Sequence, residues 1–373
     1  MIPFNKPCAV GSEEMAIADA IKNSKLSGNS PFGKKCTDWL ENQLGCEKAL
    51  LTPSCTAALE MAAILTDISV GDEVIMPSYT FVSTANAFAI RGASIRFVDV
   101  TPETMNIDPE LVEAAITERT KAIVVVHYAG VACEMDAIMD IADRYGLWVI
   151  EDAAQALMST YNGKPLGTIG HFGTISFHET KNFTCGEGGA LIINDQNAVE
   201  RAEIIQEKGT NRQQFKKGMV DKYTWRDIGS SFLLSDLNAA YLSVQLEHAE
   251  TITEDRKRSW QQYERGLQAV NNLTIPFIPE NCEHNAHMFF IKTKNESERD
   301  GLISYLKQYG IMAVSHYVPL HSSHAGRKYG KFIGTDHYTT TESERLLRLP
   351  LYYGLGEEAI DHVVNTIYTY YQT

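Results

Sequence analysis

The sequence has no C-x-x-C pair, although cysteine occurs seven times in its 373 residues. An odd, widely spread set of this kind argues against both a disulfide framework and a zinc site, and predicts reduced thiols. No long apolar run is present either. The longest falls far short of the ~20 residues that span a bilayer, and the opening "MIPFNKPCAV" lacks the basic-then-apolar layout of a secretory signal. A cytoplasmic protein with no membrane partner is expected. Positive charge is in the minority, 33 Lys and Arg against 47 Asp and Glu, for a net charge of -14. No basic run is long enough for a phosphate-backbone footprint, which excludes nucleic acid as an expected partner. Several catalytic signatures are missing as well. No G-x-G-x-x-G follows the early strands, there is no Walker loop and no G-x-S-x-G elbow, and "HETKN" lacks the second histidine of a zinc-protease helix.

What the chain does have is alternation. "KALLTPS", "EVIMPS", "SIRFVDV", "KAIVVVH" and "LWVIED" read as strands, and "TAALEMAAIL", "STANAFAI", "DPELVEAAI" and "EMDAIMDIADRYG" read as the helices between them. This predicts an α/β domain with a mainly parallel sheet covered on both faces. A long helical stretch, from Ser235 to about Val270, closes that part. Beyond Pro276 the pattern changes, through "AHMFFIKTK" and "IMAVSHYVPL" to a final helix from Glu357 to Tyr371. We expect a large domain over residues 1–250 and a small α+β domain over residues 251–373.

Ligands of open α/β sheets gather at the carboxyl ends of strands. The residues that follow the apolar runs therefore matter most: Ser54 to Thr56, Ser78 to Phe81, His127, Asp152, and Ser176 to Lys181. Each has a plain alternative reading. Ser54 or Thr56 at the start of "TAALEMAA" can be a simple helix cap, or the helix start can hold an anion. Glu151 and Asp152 can cap the next helix or serve a site. Lys181 in "SFHETKNFTCGEGGA" can be a solvated turn residue, or a reactive amine between two strands. Tyr79 and Phe81 can be core.

One cofactor uses all of these at once. Pyridoxal phosphate needs a lysine for a Schiff base, a carboxylate at its ring nitrogen and an anion pocket for its phosphate. An aromatic ring to stack on the pyridine, from Tyr79 or Phe81, completes the set.

The ordered motifs "PSYTFVSTANA", "VHYAG", "VIEDAAQA", "SFHETKNFTCGEGGA" and "HYVPLH" resemble the nucleotide-sugar aminotransferases of the DegT/DnrJ/EryC1/StrS type, over essentially the whole chain from "PFNKP" to "RLPLYYGL". The resemblance implies the type I aspartate-aminotransferase fold and pyridoxal 5'-phosphate as cofactor. It implies Lys181 as the residue that carries the cofactor and moves protons, and Asp152 as the partner of the pyridinium nitrogen. Phe81 is implied to stack on the ring, Gln155 to lie near its 3-hydroxyl, and Cys55, Thr56 and Ser176 to hold the phosphate. His316 and Tyr317 are implied to face the sugar. No metal is implied. "TPSCTAALEMAA", "VHYAGVACEMD" and "KYTWRDIGSS" point within the family to amine transfer from L-glutamate to C4 of a dTDP-4-keto-6-deoxyhexose. The implied product is dTDP-4-amino-4,6-dideoxygalactose, used for cell-surface polysaccharide.

The same resemblance implies a homodimer with its active site at the interface. Leu233 stands where many members carry an asparagine that reaches the partner's cofactor phosphate; Ser230 or Ser231 is the alternative. Lys25, Arg212 and Arg226 are candidate cations for a pyrophosphate. Two rival readings are a sugar dehydratase, against which Lys181 argues because such relatives carry histidine there, and a cofactor-binding regulator without turnover.

Overall fold

The computed structural model describes residues 1–372. Its main sheet has eight strands in the order β1 (Lys48–Thr52), β9 (Gly189–Ile193), β8 (Phe172–Ser176), β5 (Trp148–Asp152), β4 (Thr120–Val126), β2 (Glu73–Pro77), β3 (Ser94–Val98) and β13 (Gly330–Phe332). From β8 to β13 neighbours are parallel, while β9 runs antiparallel to both β1 and β8. Two three-stranded sheets complete the molecule. One orders β10 (Cys282–Glu283), β6 (Thr160–Tyr161) and β7 (Lys164–Pro165); the other orders β11 (Phe289–Lys292), β14 (Leu346–Leu349) and β12 (Val314–Ser315).

The strand pleat sends successive side chains to opposite faces, and the sequence fills both with apolar residues. Leu51, Ile75, Val125, Val149 and Ile192 face a core that includes Leu40, Ile138 and Leu242 from three helices. Their neighbours Leu50, Val74, Val124, Ile150 and Leu191 face a second core with Met61, Leu65 and Phe88. A sheet buried on both faces needs such near-continuous apolar strands, and the expected mainly parallel α/β sheet is what forms.

Two details depart from the sequence reading. The expected single helical stretch from Ser235 is two helices, Asp236–Glu247 and Ala249–Leu267. They break at His248 (φ -105, ψ 16), whose ring is 2.9 Å from the Val244 carbonyl oxygen. The second departure is β13, which returns from the C-terminal part to pair with β3 in the main sheet. We propose the domain division near this helix break at residue 248, with β13 reaching back across it.

The small sheet β11-β14-β12 also has two faces. Phe289, Ile291, Leu347 and Leu349 join Trp260, Tyr263 and Val363 in a core of their own. Phe290 and Leu346 face the other way, onto Tyr79, Tyr128 and Met288. The small sheet thereby becomes a lid over the ends of β2 and β4. Among the described residues no helix is long and apolar enough to cross a membrane.

Candidate active site

The two acids that end β5 part company because the pleat turns them to opposite faces. Glu151 is fully buried and accepts backbone N–H groups from Gly167 (2.8 Å), Ile169 (2.7 Å) and Gly170 (2.6 Å). Its Oε2 also lies 2.9 Å from Nε2 of His127. The Cys133 N–H donates to His127 Nδ1, so the imidazole proton sits on Nε2 and points at Glu151. This pair fastens a loop. Asp152 instead lines a cavity of about 570 Å³ at the carboxyl ends of the strands. It accepts from Thr84 Oγ1 at 2.7 Å and from the Ala154 N–H at 3.2 Å. Burial raises its pKa, against those hydrogen bonds and the charge of Lys181.

Lys181 lies on the excursion between β8 and β9. Phe177 donates to the Gly188 carbonyl at 2.8 Å and Glu179 to that of Gly186 at 2.9 Å, closing the loop. Gly186 turns it with φ 82, a left-handed conformation that favours glycine. Lys181 is half-buried and lines the cavity. Burial lowers its pKa, the charge of Arg348 adds to this, and Cys55 and Asp152 oppose it. A surface turn would give it no such environment.

The helix Cys55–Leu65 begins at the same cavity. Ser54 caps it by accepting the Ala57 N–H at 3.1 Å, so the cap reading holds for Ser54. The N–H groups of Cys55 and Thr56 have no intrahelical partner, and the helix dipole favours an anion there. Gly189 explains how β9 passes so close to this turn. A Cβ on it would stand 2.4 Å from the Cys55 nitrogen. Burial pushes the Cys55 thiol pKa up, against a hydrogen bond from Thr174, which leaves the thiol neutral and only its backbone amide suited to an anion. Thr56 Oγ1 pairs with Ser83 Oγ at 2.7 Å, and Ser176 lines the same end.

Of the two aromatic candidates, Tyr79 is fully buried with its hydroxyl donating to the His316 carbonyl at 2.5 Å. Phe81 is 55% exposed and lines the cavity. Gln155 is held at both ends, accepting the Ala129 N–H at 2.7 Å and donating to Tyr317 Oη at 3.2 Å. His316 and Tyr317 follow β12 and come over the cavity from the lid, their rings 3.5 Å apart. Nine residues singled out in the sequence thus line one cavity, Cys55, Thr56, Phe81, Asp152, Gln155, Ser176, Lys181, His316 and Tyr317, whereas Tyr79 and His127 are buried away from it.

Sequence reasoning missed four others. Thr84 orients Asp152, and Phe4, His287 and Arg348 line the cavity. Phe4 and Arg348 belong to "PFNKP" and "RLPLYYGL", the two ends of the chain's motif series, and they stack with 4.7 Å between guanidinium and ring centre. Neither is remarkable within its own segment. Lys25, Arg212 and Arg226 are not among the lining residues, and Arg212 pairs with Glu207 at 3.5 Å. Leu233 is half-buried in its own chain, close against Gly28, while Ser230 and Ser231 are exposed.

A doubly covered sheet and a small lid, with an amine, a buried carboxylate and an open helix start facing one cavity, make this a pyridoxal-phosphate-dependent aminotransferase fold. The chain belongs to the DegT/DnrJ/EryC1/StrS aminotransferase family, whose model matches residues 8–368. It is 34% identical over 374 residues to an uncharacterized protein of Methanocaldococcus jannaschii, covering 98% of this chain and 96% of that one. DesV of S. venezuelae is similar in structure with a TM-score of 0.92 at 28% identity, covering 100% of this chain and 99% of that one. Spr1654 of Streptococcus pneumoniae, in its PLP form, gives 0.89 at 26% identity over 100% and 98% of the two chains. Pyridoxal phosphate is the cofactor. The residues present fit it: a carboxylate without a bonded cation suits a pyridinium nitrogen, and unpaired amides suit a phosphate.

Proposed function

We propose that the protein transfers the amino group of L-glutamate to C4 of dTDP-4-keto-6-deoxy-D-glucose, giving dTDP-4-amino-4,6-dideoxy-D-galactose. The observation that carries the aminotransferase part is the meeting of Asp152 and Lys181 in one cavity with the start of the helix Cys55–Leu65. The choice of sugar draws support from the subgroup motifs, and Spr1654 is itself named as a proposed sugar aminotransferase.

Bound pyridoxal phosphate supplies an electron sink that lets a C–H bond beside nitrogen ionise. The chain's own groups supply the rest. Lys181 holds the cofactor through its Nζ, and that amine, its proton affinity lowered by burial, moves the proton at the reacting carbon. Asp152 would pair with the ring nitrogen, its carboxylate held in place by Thr84 and the Ala154 N–H. The amides of Cys55 and Thr56, with Ser176, take the phosphate. Phe81 covers the ring face, Gln155 bridges to Tyr317, and His316 meets the sugar. A homodimer completes the site. Support for it comes from Phe215, Met219, Tyr223, Trp225 and Ile228, large apolar side chains left exposed along one segment.

The test is to incubate purified protein with glutamate and either the 4-keto sugar or its 3-keto isomer, then read the C3 and C4 proton couplings of the product. An axial C4 amine is expected. An equatorial C4 amine or an amine at C3 removes the assigned specificity and leaves the transfer chemistry standing, whereas no 2-oxoglutarate from glutamate removes the enzyme reading.

A further inference from the structure

His316 comes over the cavity from the lid, and a chain of phenols behind it decides which of its ring nitrogens carries the proton. Tyr79 Oη lies 2.5 Å from the His316 carbonyl oxygen, Tyr128 Oη lies 3.3 Å from Tyr79 Oη, and His316 Nδ1 lies 3.0 Å from Tyr128 Oη. Both tyrosines are fully buried, so their hydroxyls have to satisfy one another. A carbonyl oxygen only accepts, which commits the single Tyr79 hydrogen to it. Tyr79 Oη can then pair with Tyr128 only by accepting the Tyr128 hydrogen. Tyr128 Oη can in turn pair with His316 only by accepting Nδ1–H. This order uses each hydrogen once and makes every bond in the chain. The reverse order, with Tyr128 donating to Nδ1, leaves two buried phenol oxygens facing each other with no hydrogen between them.

Charge favours the same tautomer. Burial, with the charges of Arg348 and Lys181, holds the His316 pKa well below its ordinary range, so the ring is neutral. Lys181 faces the same cavity, and its charge favours a lone pair on Nε2 where it would oppose an Nε2–H. Among the described residues Nε2 has no hydrogen-bond partner, while the ring lines the cavity.

A bare Nε2 accepts and cannot donate. Among the proposed reactants it is suited by an O–H. The carboxylates of glutamate have none at neutral pH, and its amine is taken up by the reaction. A ketone oxygen has none either, whereas the hydroxyl beside the ketone of a ketosugar does. That hydroxyl is also one bond from the carbon where Lys181 works.

We propose that Tyr128, backed by Tyr79, fixes His316 as a hydrogen-bond acceptor and thereby makes the site select a ketosugar by the hydroxyl next to its ketone. Tyr79 and Tyr128 are positioning residues, since they act through His316. This rests on the sugar-aminotransferase reading, and not on which sugar carbon receives the amine.

Nitrogen NMR of protein carrying isotope-labelled histidine reads the tautomer, with His316→Gln identifying the His316 signal. The wild-type protein is expected to carry the proton on Nδ1, and a proton on Nε2 overturns the proposal. Tyr79→Phe releases the Tyr128 hydrogen, which should turn to Nδ1 and move the ring proton to Nε2; an unchanged tautomer overturns the proposal too. In the same variant, single-turnover absorbance should show kcat/KM for the ketosugar half-reaction lowered roughly 3- to 10-fold. The glutamate half-reaction should change less than about twofold. Equal losses in both halves, or none, would count against the chain. An analogue with hydrogen in place of the hydroxyl beside the ketone gives the second arm. It should cost the wild type roughly 3- to 10-fold in kcat/KM and Tyr79→Phe less than about twofold, and equal costs in the two proteins overturn the selection. Should Tyr79→Phe fail to fold, Tyr128→Phe decides by the same ratios, its tautomer expected as a mixture. A wild type inactive on both the 4-keto and the 3-keto sugar removes the sugar reading itself, whereas one that turns over a ketosugar but ignores the missing hydroxyl removes this inference alone.

Discussion

The two walls of the cavity are built on different principles. On the wall made by the main sheet three polar side chains are already engaged: Asp152 by Thr84 and Ala154, Gln155 by Ala129, Thr56 by Ser83. On the lid, His316 and His287 are kept neutral by burial, and Nε of Arg348 is buried without a hydrogen-bond partner. Engaged groups hold one geometry with little reorganisation, which suits a resident cofactor. A buried donor without a partner, as Arg348 Nε is, is costly at rest and is relieved by what enters, which suits substrates that come and go. Under the proposed function, the difference assigns cofactor binding and substrate choice to separate pieces of the chain.

The predictions sharpen or break that division. Lys181→Ala should abolish turnover and also the cofactor adduct fixed by borohydride; a labelled peptide elsewhere in the chain would end the assignment. Asp152→Asn should keep the fold yet lose about 3–5 kcal/mol of transition-state stabilisation, roughly two to four decades in kcat. The same variant carries a stability signature. Because Asp152 has its folded pKa raised, the folded state binds more protons just above the ordinary carboxylate range. Cofactor-free protein should therefore lose stability as pH rises through that window. Asp152→Asn should lack this slope, and chemical denaturation at several pH values reads it. If both proteins give the same slope, Asp152 is not the strained group proposed.

Gly189→Ala comes next, since the added methyl would sit 2.4 Å from the Cys55 nitrogen. A cost of about 1–3 kcal/mol in stability is expected, together with weaker cofactor retention, measured by denaturation and by equilibrium dialysis. Unchanged retention would separate the helix start from the phosphate. The smallest effect belongs to the lid. Tyr317→Phe removes one hydrogen bond to Gln155, about 0.5–1.5 kcal/mol, and should appear in KM for the sugar with the cofactor spectrum unchanged. A shifted spectrum would erase the distinction between the walls.

The cofactor wall was legible in sequence because a parallel sheet brings its strand ends together, so Asp152 and the Lys181 loop could be assigned to one site before any distance was known. Which of Glu151 and Asp152 would face it was not legible by pattern, for both end the same apolar run and only the pleat separates them. Arg348 was missed for the opposite reason. It stands among leucines in "ERLLRLPL", where an isolated arginine looks like a solvated strand position. Its meaning depends on Phe4, which approaches it from the far end of the chain. The break at His248 was hidden too, since the helical pattern runs through it without a glycine or proline.

β13 carries a consequence for how this protein is born. Its three residues complete the edge of β3, pairing Phe332 with Phe97 more than 230 residues away in sequence. At the rate of chain synthesis, about 5–20 residues per second, the nascent β3 waits roughly 10–50 s for its neighbour. During that interval the ribosome-bound chain presents an open parallel edge of "SIRFV", the kind of template on which other strands add. The N-terminal residue Ile2 waits as well, since its partner Ile311 is made almost as late. Closure of the β3 edge therefore comes late in synthesis, and a nascent chain held before residue 330 should be the form most in need of a chaperone.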